Sequence, residues 1–344
     1  MMNKLRKILF PFSVVYDCVT SLRNFMYDKG YFESAAYEVP VICVGNLNVG
    51  GTGKSPMIEY LISILKDKHT IAVLSRGYKR KSKGFQLVDK HHRVDEVGDE
   101  PLQFKLKFPD VIVAVDANRR NGINKLKDKA TVILLDDAFQ HRKVKPFFNI
   151  LLTSYSDLYI NDLLLPAGNL RESRIGAVRA NCIVVTKCPE NLPYSKQQQI
   201  QYDLNLELHQ HIYFTTIAYA SIIQGIKDVK HVDFLLKKTF TLVTGIANPK
   251  PLVDYLTGLK LNFDHQDYAD HHNFSEEEIL QLDKKGILLT TEKDFMRLKD
   301  KIKTAALFYL PISVSFLNKE EGFIERIQNA AAFKPDFVEL ENEG

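Results

Sequence analysis

No two of the four cysteines, Cys18, Cys43, Cys182 and Cys188, form a CxxC pair, which argues against a redox motif or a paired-cysteine zinc site. Cys43 lies in an apolar run, where a buried free thiol is the expectation. This cysteine usage suits a reducing, cytoplasmic compartment. An excess of one charge is missing too: 46 basic residues face 42 acidic ones, and a dispersed net charge of +4 makes no case for nucleic acid. The apolar stretch from Ile8 to Tyr16 is far shorter than the roughly 20 residues a membrane-crossing helix needs. Pro11 interrupts it and no small-residue cleavage site follows, so a cleavable signal peptide is not expected. No internal repeat or long low-complexity segment appears.

What remains is the composition of a globular protein: 344 residues, 45% hydrophobic and 26% charged, enough for a full core and two domains. Lys4, Arg6 and Lys7 precede Ile8, Leu9, Phe10, Phe12, Val14 and Val15, a basic and then greasy start over residues 1–30. Such a segment suits either an anionic membrane surface or an amphipathic helix packed on the protein. From Val39 onward, short apolar runs alternate with amphipathic ones: VPVICVGN, Met57 to Lys66, TIAVLSRG, then Asp99 to Phe108. Further strand candidates are residues 111–116, 131–137, 148–153 and 182–187. The alternation predicts an α/β fold, a mostly parallel sheet flanked by helices over residues 31–205, with its chemistry at the carboxyl edge.

After Lys187 the polar stretch from Glu190 to Gln201 reads as a boundary or an exposed helix, and a smaller α/β domain is expected over 236–344. It contains TFTLVTGIANP (239–249) and GILLTTEKD (286–294). The β-rich segments 212–222 and 307–316 flank that block and are expected to pair as a two-strand linker around 206–235.

The chemistry starts at residues 45–55, GNLNVGGTGKS, which follow an apolar strand and precede a helical pattern, the context of a P-loop. In this reading Asn48, Val49, Gly50, Gly51, Thr52, Gly53, Lys54 and Ser55 bind ATP. Backbone amides converge on phosphate oxygens, Lys54 reaches the β- and γ-phosphates, and the Ser55 hydroxyl holds Mg²⁺. Asn48 stands at the first glycine position of GxxxxGK[ST]; asparagine tolerates left-handed backbone well enough to keep the turn feasible. A P-loop also needs a carboxylate at the end of a neighbouring strand, and VILLDD supplies Asp136 and Asp137. One of the two also suits a helix cap. Guanine specificity has no support, because Thr186-Lys187-Cys188-Pro189 stands where an NKxD motif would be expected.

Eight blocks in order resemble the tetraacyldisaccharide 4'-kinase family. They are residues 39–56, LSRGYKRKSKG (74–84), VGDEPLQF (97–104), DDAFQHRKVK (136–145), LLPAGNLRE (164–172), TGIANPKPLVDYL (244–256), DHHNF (270–274) and LTTEKDFMRL (289–298). Lys79, Ala138 and Asn169 depart from the commonest family letters without removing a chemical group. The resemblance implies an ATP-dependent kinase acting on the 4'-hydroxyl of tetraacyldisaccharide 1-phosphate, giving lipid IVA. It also implies a peripheral protein on the cytoplasmic face of the inner membrane.

Transfer to a sugar alcohol needs in-line positioning and a proton acceptor. Asp99 of Gly98-Asp99-Glu100-Pro101 is the candidate base, as the family match also implies; an N-cap role is its structural alternative. His271 of the DHH block is the expected partner of that carboxylate, reaching it from the second domain. Glu100 is a candidate metal ligand through water. Arg76, Arg119, Gln140, His141 and Arg171 are candidates for the γ-phosphate or the acceptor, because guanidinium groups grip phosphate oxygens bidentately. Two other readings stay open: a P-loop nucleotide switch, and a soluble small-molecule kinase.

Overall fold

The computed structural model describes residues 4–226, 228–270 and 272–333. Fifteen strands form two sheets among the described residues. The first eight are β1 (Val41–Asn46), β2 (Ile71–Ser75), β3 (Gln86–Leu87), β4 (Ile112–Val115), β5 (Val132–Asp136), β6 (Phe148–Ser154), β7 (Cys182–Thr186) and β8 (His211–Tyr219). The rest are β9 (Ile222–Gly225), β10 (Val229–His231), β11 (Thr239–Thr244), β12 (Asn262–Asp267), β13 (Ile287–Thr290), β14 (Ala306–Tyr309) and β15 (Ile312–Phe316).

The large sheet runs β15-β8-β7-β6-β1-β5-β2-β4-β3 and is parallel except at its two edges, where β3 and β15 are antiparallel to their neighbours. Every residue of β1, β2, β5 and β7 is buried, because helices cover both faces and each strand is accordingly a continuous apolar run. β1 lies between β5 and β6, with Val44 opposite Asp136 on one side and Ile150 on the other. After β1 the chain crosses to β2, beyond β5, so the strand order reverses beside β1. A ligand crevice at the carboxyl ends is the usual result of such a switch.

The small sheet runs β10-β9-β14-β13-β11-β12, parallel from β14 to β12 and antiparallel through β9 and β10. The segments read as a linker have a more specific place. β8 pairs antiparallel with β15, Ile312 opposite Tyr219, and parallel with β7, so both extend the edge of the large sheet. β14, at the start of that same apolar run, belongs to the small sheet. The helix Glu320–Ala332, inside the stretch assigned to the second block, buries Phe323 and Ile327 with Met57 and Leu61 in the large sheet's core. Each such side chain contributes about 1.5–3 kcal/mol by leaving water, enough to fix where the helix docks.

The helix Phe10–Asp28 packs by its polar side. Ser13 Oγ donates to the Leu164 carbonyl at 3.0 Å, Tyr16 Oη to the Arg171 carbonyl at 2.8 Å, and Asn24 Nδ2 to Glu172 Oε2 at 2.8 Å. Ile8, just before it, and its residues Phe12, Val15, Val19 and Leu22 face outward, 62–72% exposed. That is an inverted amphipathic element, with its apolar stripe away from the protein. Among the described residues no helix is long and apolar enough to cross a membrane.

Candidate active site

The P-loop forms where β1 meets the helix Lys54–Leu65. Left-handed backbone falls on Gly50 (φ 130°) and Gly53 (φ 88°), where a side chain would be strained. Gly53 caps a helix with no acidic residue in its first turn, leaving free amides and the positive dipole end for an anion. Asn48 differs from expectation. It is not left-handed, and its buried side chain donates to Asp162 Oδ2 at 3.1 Å, so it anchors the loop from behind. Lys54 Nζ lies 3.4 Å from Asn46 Oδ1 and 3.7 Å from Asp137 Oδ1, and Ser55 Oγ donates to Glu100 Oε1 at 2.6 Å. From the end of β7, Thr186 Oγ1 donates to the Thr52 carbonyl at 2.8 Å and Lys187 Nζ to the Gly51 carbonyl at 2.5 Å. The TKCP segment thus braces the phosphate loop.

The two acids at the end of β5 sit in opposite fields. Asp136 Oδ2 accepts from Ser75 Oγ at 2.6 Å, while Oδ1 is buried without a partner. Burial, and next the Glu100 charge, push its carboxyl up to about 7. Asp137 has left-handed backbone (φ 47°), which turns its carboxylate toward Arg171 Nη1 at 3.0 and 3.1 Å. Burial raises its pKa, but Lys54 and then Arg171 outweigh that and hold it below the usual range. Arg171 is therefore committed to an aspartate. Arg119 is also built in: only 2% exposed, it donates to the backbone carbonyls of Asp116 and Asp136, and burial pulls its pKa down to about 10.

Gly98 (φ 95°) starts the helix Asp99–Lys107, and a Cβ there would stand 3.3 Å from the Tyr78 carbonyl. Asp99 is the first helical residue and not the cap; its Oδ1 accepts from the Glu100 amide at 3.0 Å. Two cations reach this acidic pair from the small sheet's unit. Lys293 Nζ donates to Glu100 Oε1 at 2.5 Å, and Arg297 pairs with Asp99. Both come from the helix Glu292–Leu298, where a spacing of four residues puts them on one face. Asp294, fully buried, takes Arg297 Nη1 at 2.9 Å, the Gly245 amide at 2.9 Å and Thr291 Oγ1 at 2.7 Å, which fixes the guanidinium. Burial opposes ionisation of Glu100, but Lys293, the largest favourable influence, brings its pKa below the ordinary value.

One cavity of about 970 Å³ joins the P-loop from Val49 to Ser55, Asp99, Glu100, Asp136, Asp137, Arg76, Arg119, Gln140, His141 and Arg171. Lys187, Lys293 and Asp270 line it as well. Its size admits a nucleotide together with part of a second substrate. Arg76 is exposed within it. Gln140 Nε2 donates to the Asn46 carbonyl at 2.8 Å and to Glu172 Oε1 at 3.0 Å. Burial, followed by the Arg119 charge, lowers His141 to about 4, so its imidazole is neutral at pH 7, with Nε2 buried and unpartnered. His271 lies outside the described residues. Sequence reasoning missed Lys187, Lys293 and Arg297. For the last two the signal was present: a lysine and an arginine one turn apart directly after a strand, inside the TTEKDFMRL block.

Among the described residues no three His, Cys, Asp or Glu side chains form a ready-made metal cage. Mg²⁺ does not require one, since it binds one or two protein oxygens together with phosphates and water. The orphaned Asp136 Oδ1, with Ser55 and Glu100 beside the same cavity, fits that chemistry.

A parallel sheet whose central strand runs into a glycine loop, with acids on the adjacent strand and a second acidic pair facing the loop, defines a P-loop kinase. The tetraacyldisaccharide-1-P 4'-kinase family matches residues 5–332. The tetraacyldisaccharide 4'-kinase of Flavobacterium johnsoniae is 52% identical over 328 residues, covering 94% of this chain and 96% of that one. The enzyme of the same name from Bacteroides thetaiotaomicron is 40% identical over 353 residues, covering 94% and 93%. A crystal structure of LpxK from Aquifex aeolicus in complex with ATP is 31% identical and superposes with a TM-score of 0.77, over 95% of this chain and 99% of that one. The chain belongs to the tetraacyldisaccharide-1-P 4'-kinase family.

Proposed function

We propose that this kinase transfers the γ-phosphoryl group of ATP to the 4'-hydroxyl of tetraacyldisaccharide 1-phosphate, forming lipid IVA. One observation carries the reading: the P-loop, the Asp136–Asp137 pair and the Asp99–Glu100 pair open into a single cavity. Nucleotide and alcohol therefore meet where a carboxylate can take the proton.

The amides of residues 50–55 and Lys54 hold the phosphates. Ser55 and Asp136 would hold Mg²⁺ directly, with Glu100 in reach through water, while Asp137 keeps Lys54 and Arg171 in place. The bound ion supplies charge neutralisation on the phosphate oxygens. Asp99 accepts the proton of the attacking hydroxyl, oriented by Arg297 and partnered by His271. As the new oxygen–phosphorus bond forms, the bond to the β–γ bridging oxygen breaks and ADP leaves with the electron pair. Arg76, Gln140 and the neutral His141 face the acceptor. Arg119 and Arg171 act indirectly, by shaping the end of β5.

The outward stripe of Ile8, Phe12, Val15, Val19 and Leu22 suits the interface of the membrane that holds an acylated substrate. It supports the reading of a peripheral protein at the cytoplasmic face of the inner membrane. The test is incubation with γ-labelled ATP, magnesium and a panel of disaccharide precursors in mixed micelles. Label is expected in tetraacyldisaccharide 1-phosphate; absence of labelled lipid from every acceptor would overturn the reading.

A further inference from the structure

We propose that Lys293 is a catalytic residue supplied to the P-loop from the small sheet's unit of the same chain, its ammonium contacting the terminal phosphoryl group of the nucleotide during transfer. The proposal rests on the phosphoryl-transfer reading above and adds a group to it. Three lysines line the crevice: Lys54, Lys187 and Lys293. They are close enough that, after burial, Lys293 and Lys54 are the charges that depress the Lys187 pKa. Lys54 is the P-loop lysine. Lys187 is spent on the Gly51 carbonyl at 2.5 Å. Among the described residues Lys293 is held by Glu100 alone, on the same Oε1 that accepts from Ser55 at 2.6 Å.

That shared oxygen is the reason to expect a change of partner. In the structure Lys293 neutralises a carboxylate beside the proposed metal position. With its charge taken up by a bound divalent cation, Glu100 would hold Lys293 less strongly, and the ammonium, which lines the same cavity as the P-loop, would turn to the terminal phosphate. Arg297 cannot do the same work, because Asp294, the Gly245 carbonyl and Asp99 hold its guanidinium in place. Lys293 remains charged throughout: burial acts against its ammonium, but Glu100 and Asp99 more than compensate and raise its pKa. It neither gives nor takes a proton. It neutralises charge on the phosphoryl oxygens while the bridging bond breaks toward ADP and the acceptor's proton passes to Asp99. A cation delivered from outside the P-loop core performs this task in other phosphoryl-transfer enzymes, with rate effects of about 10³–10⁵.

The experiment is calorimetric binding of Mg·ADP and of a Mg-bound non-hydrolysable ATP analogue to wild type, Lys293→Met and Lys293→Arg, alongside turnover. Lys293→Met is expected to bind the analogue at least tenfold more weakly and ADP within twofold of wild type, with kcat reduced a hundredfold or more. Lys293→Arg is expected to recover part of both losses. Retained ADP affinity doubles as the control for folding. An equal loss for ADP and analogue would overturn the proposal by making the lysine structural, and so would an unchanged analogue affinity. Failure of the wild-type protein to bind either nucleotide would sink the phosphoryl-transfer reading itself.

Discussion

Asp136→Asn is expected to make the metal-free protein more stable while removing its activity. In the structure this carboxylate is buried, one oxygen is satisfied by Ser75 and the other has no partner. Its pKa rises from 3.8 to about 7, roughly three units, which corresponds to about 4 kcal/mol as an upper bound on the cost of keeping it ionised. The amide keeps the Ser75 bond but points an NH₂ at the orphan position, and an unsatisfied buried donor costs about 1–3 kcal/mol. A net gain of at most about 1–3 kcal/mol remains. The pH dependence identifies the cause. A raised carboxyl pKa gives a contribution that is complete below the unfolded value near 3.8 and is lost as pH rises through about 7. The advantage of the variant should therefore be small at pH 5 and full at pH 8.5. Urea unfolding in EDTA at these two values, with m unchanged, measures it. A variant less stable than wild type at pH 8.5, or a gap that does not widen with pH, would refute the reasoning.

Arg297→Ala removes a guanidinium from between Asp99 and Asp294, both buried, and should cost about 3 kcal/mol by denaturant unfolding. Turnover should fall with it, because Asp99 loses its orienting partner; wild-type stability in the variant would contradict this. Replacing Phe12, Val15 and Val19 with Asp changes side chains that the structure leaves exposed, so unfolding free energy should move by less than about 0.5 kcal/mol. Flotation with anionic vesicles should drop by roughly tenfold per residue or more, each losing about 1.5–3 kcal/mol of apolar burial. Undiminished flotation would remove the membrane role of the stripe.

The large sheet was legible because its strands are buried on both faces and so appear as unbroken apolar runs bounded by glycine and acids. The P-loop was legible for the same reason that it works: only glycine accepts φ near 90–130° without strain, so the loop advertises itself in composition. Pairing across distance was less visible. Nothing in residues 307–316 says that β14 joins one sheet and β15 the other, since both are short apolar strands and only the register across β13 and β8 separates them. The same holds for the arginines. Arg119 and Arg171 were legible as candidates by type and both line the cavity, but their backbone-carbonyl and Asp137 partners were not legible. Lys293 and Arg297 lie nearly two hundred residues from the acids they meet, and only the packing of the helix Glu292–Leu298 against Asp99–Lys107 brings them there. Asn48 is the clearest local surprise, a motif position filled by a side chain that ties the loop to Asp162.

The most direct measurement is the turnover of Asp99→Ala under saturating Mg·ATP and acceptor, with Mg·ADP affinity determined on the same preparation. If this carboxylate takes the proton from the sugar hydroxyl beside the phosphate loop, kcat falls by roughly 10²–10⁴ and ADP affinity stays within a few-fold of wild type. Full turnover in the variant would contradict the account.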